Sequence, residues 1–184
     1  MFIRSERLFL RPAFPEDWQE IHSGICDESV TRMLTGVPWP YGENDAREYA
    51  SRPQNTLFPH CLITLPETLG APVIGCIGLD KRTAGIELGY WIARKHWGRG
   101  YATEAGQALM AAARALGHRR IHAGHAMDNN ASARVLEKLG FRPTGEVRAR
   151  SCAARRSTVA VRCHVLELGE ATGNNPEPRM PAAA

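Results

Sequence analysis

The chain has 184 residues, of which 43% are hydrophobic and 23% charged, and a formal net charge of +4. This is enough for one core, too apolar for a disordered chain, and no apolar run approaches the roughly 18–20 residues that span a bilayer. The five cysteines, Cys26, Cys61, Cys76, Cys152 and Cys163, are widely spaced and never form a Cys-x-x-Cys pair, which points to buried small side chains and away from a disulfide framework or a zinc site.

Charges interrupt residues 1–8 where a signal peptide needs an unbroken apolar stretch, so a cytoplasmic location is expected. Residues 5–12 alternate through Arg7-Leu8-Phe9-Leu10-Arg11 and stop at Pro12, which predicts a first strand. Pro15-Glu16-Asp17 suits a first helical turn, and Trp18, Ile21, His22 and Ile25 follow at helical spacing. The Gly- and Pro-rich residues 36–45, with Trp39 and Tyr41, form a loop able to overhang a site, and Asn44-Asp45 can cap a short helix through Ala50. Apolar runs at 58–65 and 72–80 are joined by Pro66-Glu67-Thr68-Leu69-Gly70, a hairpin connection. Residues 86–93 form a third strand with both faces covered.

Ala105, Leu109, Ala112 and Leu116 place a helix over 102–116 with Gly117 as its stop. A strand at 120–126 and a helix at 129–139, capped by Asn129 with Val135, Leu136 and Leu139 inward, come next. Strands at 141–150 and 157–168 close a single domain over 1–168, and 169–184 reads as a mobile tail. Helices alternate with strands in the second half, an α/β (α+β) pattern.

The chemistry concentrates in Glu87-Leu-Gly-Tyr-Trp-Ile-Ala-Arg-Lys-His-Trp-Gly-Arg-Gly-Tyr-Ala-Thr-Glu-Ala105, a strand that passes through a glycine-bearing loop into a helix. Gly98 and Gly100 let backbone approach a ligand closely, the helix start offers free amides to an anion such as pyrophosphate, and Arg94, Lys95 and Arg99 add cationic reach. An ordinary strand-to-helix turn with solvated bases is the alternative. No Gly-Lys pair is present for a P-loop, and Thr103 stands where a dinucleotide-binding Gly-x-Gly-x-x-Gly needs its last glycine.

This stretch resembles the acyl-coenzyme A loop of the GCN5-related N-acetyltransferase (GNAT) superfamily, Gln/Arg-x-x-Gly-x-Gly/Ala, with Gly100 and Ala102 in the last two places and Trp97 where Gln or Arg is usual. That departure, with the string through Trp97-Gly-Arg-Gly-Tyr-Ala-Thr-Glu-Ala105, is similar to the ribosomal-protein N-terminal acetyltransferase (RimJ/RimL-like) branch. Asn129-Asn-Ala-Ser-Ala-Arg-Val-Leu-Glu-Lys-Leu-Gly-Phe141 resembles the family's second coenzyme-binding helix, and Ser5-Glu-Arg-Leu-Phe-Leu-Arg-Pro12 that branch's opening.

The resemblance implies the GNAT fold, a mixed central sheet splayed open in the middle with flanking helices, here between strands 86–93 and 120–126. It implies acetyl-CoA as co-substrate and no metal. Unpaired backbone groups at Ile92 and Ala93 would hold the pantetheine arm, amides from Arg99 through Gly100, Tyr101 and Ala102 to Thr103 the pyrophosphate, with Asn129 on the arm and Ser132 facing the thioester. The implied reaction is direct attack of a primary amine through a tetrahedral intermediate. Glu87 is the candidate base, acting through a water, or else half of a structural ion pair with a nearby Arg. The family's usual tyrosine acid is replaced by Leu136, so Ser132 is the remaining donor, with Tyr101 a weaker one.

The acceptor is either a protein N-terminal amine or a small amine such as an amino acid, polyamine or aminoglycoside. A catalytically silent CoA- or RNA-binding module is a further alternative. Glu16, Asp17, Glu20, Asp27 and Glu28 either attract a cationic amine or form a solvated face. Arg148, Arg150, Arg155, Arg156 and Arg162 either meet RNA or an acidic protein or, more commonly for such a cluster, form a solvated hairpin; neither nucleic acid nor membrane is expected as a partner, and the protein is expected to be a monomer or homodimer. His122 and His125 lie an odd number apart on one strand and point to opposite faces, against a metal site with His118.

Overall fold

A computed structural model describes residues 1–169. Its described residues form a mixed sheet in the order β1-β2-β3-β4-β5-β6-β8-β7, from β1 (Ile3–Arg4), β2 (Phe9–Arg11), β3 (His60–Thr64), β4 (Val73–Arg82), β5 (Gly85–Ile92), β6 (Arg120–Ala126), β7 (Arg142–Cys152) and β8 (Ser157–Glu167). Neighbours are antiparallel except β5 and β6, which run parallel. The helices are α1 (Trp18–Ile25), α2 (Glu28–Thr31), α3 (Glu43–Ala50), α4 (Tyr101–Ala115) and α5 (Asn130–Lys138). The expected tail lies outside the described residues, apart from Gly169.

β4 explains the layering. Its first seven residues, Val-Ile-Gly-Cys-Ile-Gly-Leu, are all buried, as a central strand covered on both faces requires. Leu79 and Ile77 join Leu8, Leu109, Ile121 and Leu136 in the core beneath α4 and α5, whereas Val73 and Cys76 join Ile21, Ile25, Ala46 and Leu62 beneath α1 and α3. Val73 and Cys76 share a face despite their odd separation because the β3–β4 register slips between Ile63 and Thr64, a bulge that re-aims the strand. At Gly75 the backbones come so close that a Cβ would run into the Trp91 carbonyl oxygen.

Several expectations need correction. The strand over 5–12 is two short strands, because Ser5 turns the chain: its N–H and hydroxyl both reach the Leu8 carbonyl. The helix expected from Asn44-Asp45 starts at Glu43 with Gly42 as its cap, and Asp45 works from inside the first turn by accepting the Gly42 N–H at 2.8 Å. The short helix α2 was not anticipated; Asp27 caps it, accepting from the Ser29 N–H at 2.8 Å. On β5 both faces are not covered, since Gly89 is exposed and Glu87 and Trp91 only partly buried.

Candidate active site

The parallel pairing of β5 with β6 covers only Glu87 with His122 and Leu88 with Ala123. Beyond Leu88 the strands part, β6 staying with β8 through Ala126 opposite Val161. A cleft of about 1030 Å³ runs through this opening. It joins the start of α4 and the first turns of α5 to a face bounded by Tyr41, Tyr49, Asp80 and Trp91.

On one side, Gly98 and Gly100 adopt φ values of 75° and 79°, a left-handed conformation that glycine enters freely, and Gly100 caps α4. The first-turn amides of α4 have no partner within the helix and face an anion-accepting end. The N-terminal segment clamps this end. Glu104 accepts from the Arg7 N–H, Arg7 Nε and Ser5 Oγ, each at 2.7 Å, and Arg7 Nη1 donates to the Arg99 carbonyl at 3.1 Å while its guanidinium lies 4.8 Å from the Tyr101 ring centre. Burial pushes the Glu104 carboxyl up, but these bonds outweigh it and hold the group below its ordinary value.

Trp97 closes the loop from its other end, donating its indole N–H to the Ile92 carbonyl at 2.6 Å, with Arg94 over its ring. The Ala93 N–H donates to the Ile74 carbonyl at 2.8 Å. The expectation of unpaired groups at Ile92 and Ala93 is therefore corrected for that carbonyl and that N–H. An indole in place of the usual Gln or Arg occupies the first, and strand β4 the second.

On the other wall, Asn129 caps α5 by accepting the Ser132 N–H at 3.0 Å, which leaves its amide NH2 for a ligand. Ser132 Oγ lies 2.7 Å from the Tyr90 hydroxyl. Burial pushes the Tyr90 phenol up to about 12, and its bond to Ser132 only partly offsets this. Leu136 fills the core, so the absent tyrosine acid leaves no gap. Tyr90 went unnoticed in the sequence because its link to Ser132 spans 42 positions.

Glu87, Ile92, Arg99, Gly100, Ala102, Thr103, Asn129 and Ser132 all line the cleft, whereas Ala93, Arg94 and Tyr101 do not. Of the two readings of Glu87, the ion pair is present: Arg150 holds both its oxygens, at 2.5 and 2.8 Å. The N-terminal acids do not form an amine-attracting face. Asp17 is bonded to both ends of the Arg11 guanidinium, Glu20 accepts the Val73 N–H, Asp27 caps α2, and none of Glu16, Asp17, Glu20, Asp27 or Glu28 lines the cleft. The acids that do are Asp45, Glu48, Asp80, Glu87 and Asp128. In the C-terminal basic cluster, Arg148 pairs with Glu146, Arg150 with Glu87 and Arg155 with Asp128.

These residues fit an acyl-CoA. The glycine-rich helix start suits a pyrophosphate, and both ring nitrogens of His96, beside it, are buried without a partner among the described residues. No group of three or more His, Cys, Asp or Glu among the described residues is arranged to hold a metal ion, and no described helix is long and apolar enough to cross a membrane.

Comparison with known proteins agrees with this geometry. Residues 7–142 match the Acetyltransferase (GNAT) domain family. The uncharacterized N-acetyltransferase p20 of Bacillus licheniformis is 36% identical over 152 residues, covering 78% of this chain and 84% of its own. The uncharacterized N-acetyltransferase YoaA of Bacillus subtilis (strain 168) is 39% identical over 162 residues, covering 79% and 85%. A GNAT-family acetyltransferase from Bacillus anthracis has a similar fold, with a TM-score of 0.77 at 24% identity over 91% of this chain and 99% of its own. The splayed sheet, the glycine-capped helix and the family match converge on one conclusion: the chain belongs to the GNAT family and is an acyl-CoA N-acyltransferase.

Proposed function

We propose that the protein transfers an acetyl group from acetyl-CoA directly to the primary amine of a small molecule. One observation carries this reading: the cleft runs through the β5–β6 opening, with anion-binding amides at one end and a partly apolar, side-chain-bounded well at the other. Acetyl-CoA supplies the activated acyl group. The α4 amides, with Arg99, would hold its phosphates, and Asn129 and the edge of β5 its arm.

Ser132 lends its O–H to the departing sulfur, and Tyr90 orients that O–H by donating to Ser132 Oγ. Glu87 takes up the amine proton through a water, using the lone pairs that Arg150 leaves free. A protein N-terminus is the second reading, favoured by the likeness of residues 5–12 and of the Trp97 loop to the ribosomal-protein branch. Thiol release from acetyl-CoA, measured with a panel of small amines and N-terminal peptides, tests both. Turnover of small amines above the acceptor-free rate is expected; turnover of peptides alone would overturn the first reading. Glu87→Gln should lower kcat most at low pH, and an unchanged pH–rate profile would remove Glu87 from the mechanism.

A further inference from the structure

Where β5 and β6 separate, the sheet face is open over Gly89. Its cross-strand partner Gly78 lies under the His60 ring, whereas a Cβ added at Gly89 would meet nothing within 4 Å. This makes a shallow well directly beside the opening. Two residues along β5 on either side stand Glu87 and Trp91, on the same face by the two-residue period of a strand. The next cross-strand pair on this face is Asp80 with Glu87, two acidic residues side by side.

Neither carboxylate is available as an isolated negative charge. His60 Nε2 and Arg82 Nη2 each lie 3.2 Å from an Asp80 oxygen, and Arg150 holds Glu87 at both oxygens. Farther out, Asp45 and Glu48 share the cleft with Arg52. The two carboxylates nearest Gly89 are thus each paired. A polycation would meet a cation beside both, whereas an amine carrying its own carboxylate preserves the balance.

Arg150 can recognise that carboxylate. Its guanidinium has five N–H donors and spends two, from Nη1 and Nη2, on Glu87, which leaves a fork edge that includes Nε unspent on a residue lining the same cleft. An α-amino group also suits the proposed chemistry. In a free amino acid its own carboxylate raises its pKa above the peptide-terminal value of about 8, so the bound ammonium gives its proton to the proposed base at Glu87.

Resting on the proposed acetyl transfer to a small amine, we infer that the well over Gly89 is an acceptor site for α-amino acids, with the amine beside Gly89 and the carboxylate on Arg150.

The test compares kcat/KM for each of the common L-amino acids with that of its carboxamide, beside spermidine and a tripeptide pool, using the full chain and acetyl-CoA. The best acceptor should be a free amino acid, and its amide should be about tenfold or more weaker, as expected on losing a charge-assisted pair. Arg150→Gln also removes the partner of Glu87 and so should slow both acceptors, but it should lower kcat/KM for the amino acid about tenfold more than for its amide, closing the gap. Should that variant fold poorly, Gly89→Val provides a second reading: its Cβ has nothing within 4 Å, and its side chain should raise KM for the amino acid with KM for acetyl-CoA unchanged. Preference for an amide, peptide or spermidine, an equal effect of Arg150→Gln on both members of the pair, or an unaltered amino-acid KM in Gly89→Val would each overturn the inference. Thiol release with amines other than amino acids would leave the acetyltransferase reading standing; no release with any amine would overturn that reading and this one together.

Discussion

Replacing Tyr90 by Phe removes one hydroxyl and leaves the ring in place, so it isolates the link to Ser132. That bond is 2.7 Å long and joins a phenol that burial holds at about 12. A free thiol has a pKa of about 8.5, so Tyr90 is a much weaker acid than the thiol that leaves and does not protonate it at equilibrium. What the pair can offer is a hydrogen bond. In the proposed mechanism Tyr90 is the donor of this bond, which frees the Ser132 O–H to point at the developing negative charge on sulfur. Loss of a neutral hydrogen bond costs about 0.5–1.5 kcal/mol of stability, a drop in Tm of about 1–6 °C for a chain of this size. Losing the orientation should lower kcat about five- to thirtyfold, corresponding to about 1–2 kcal/mol of transition-state stabilisation. KM for acetyl-CoA should stay within about twofold. Steady-state thiol release from Tyr90→Phe, Ser132→Ala and the double variant checks this, the double falling no further than Ser132→Ala because both remove one device. A kcat within twofold of wild type in Tyr90→Phe, beside an impaired Ser132→Ala, would reduce Tyr90 to a packing residue; additive losses would separate the two.

Trp97→Phe keeps an aromatic ring under Arg94 but frees the Ile92 carbonyl; it should change KM for acetyl-CoA about two- to tenfold with little effect on kcat, and an unchanged KM would show that the indole bond does not set the loop. Gly75→Ala should destabilise by about 1–3 kcal/mol, because the clash at the Trp91 carbonyl is with backbone. Gly89→Ala on the next strand should stay within about 0.5 kcal/mol, so thermal unfolding of the pair separates close approach from open space. Stability should also fall on acidification. The folded pKa values of Asp17, Glu104 and Asp128 are depressed, so their contribution is complete above the ordinary values of 3.8 and 4.5 and disappears as pH falls through the lower folded ones. His164 acts in the same direction from higher pH: burial first, then the neighbouring His125, lowers it from 6.5, so folding favours its neutral form and loses that contribution as pH drops below 6.5. Urea midpoints flat between about pH 7 and 8 and falling in two stages below it are expected; a maximum near pH 5 would contradict these signs.

The parts of the site that the sequence made legible are those held by local geometry. Gly98 and Gly100 need a backbone conformation that other residues avoid, and Asn129 caps a helix within its own turn; the positions of α4, β6 and α5 follow from such neighbours. Local signals also set the limit of that reading. Counting charges along the chain made Asp17, Glu20 and Asp27 look like an amine-attracting face, yet each is taken by a partner, one of them on β4. The same counting left the C-terminal arginines without a role. In space, that role follows from the opening itself. Parting β5 from β6 after two paired positions forfeits backbone bonds at the middle of the sheet, where they would otherwise join its halves. Arg150 reaches from β7 to Glu87 on β5, with β6 and β8 between them in the sheet order. Arg155 binds Asp128 after β6 and the Arg32 carbonyl at the end of α2, to which Cys152 also donates. Side-chain bonds from the last hairpin thus tie the two halves together around the cleft. Arg150 and Arg155 are the reinforcement of the open sheet, and their partners depend on a topology that no run of consecutive residues encodes.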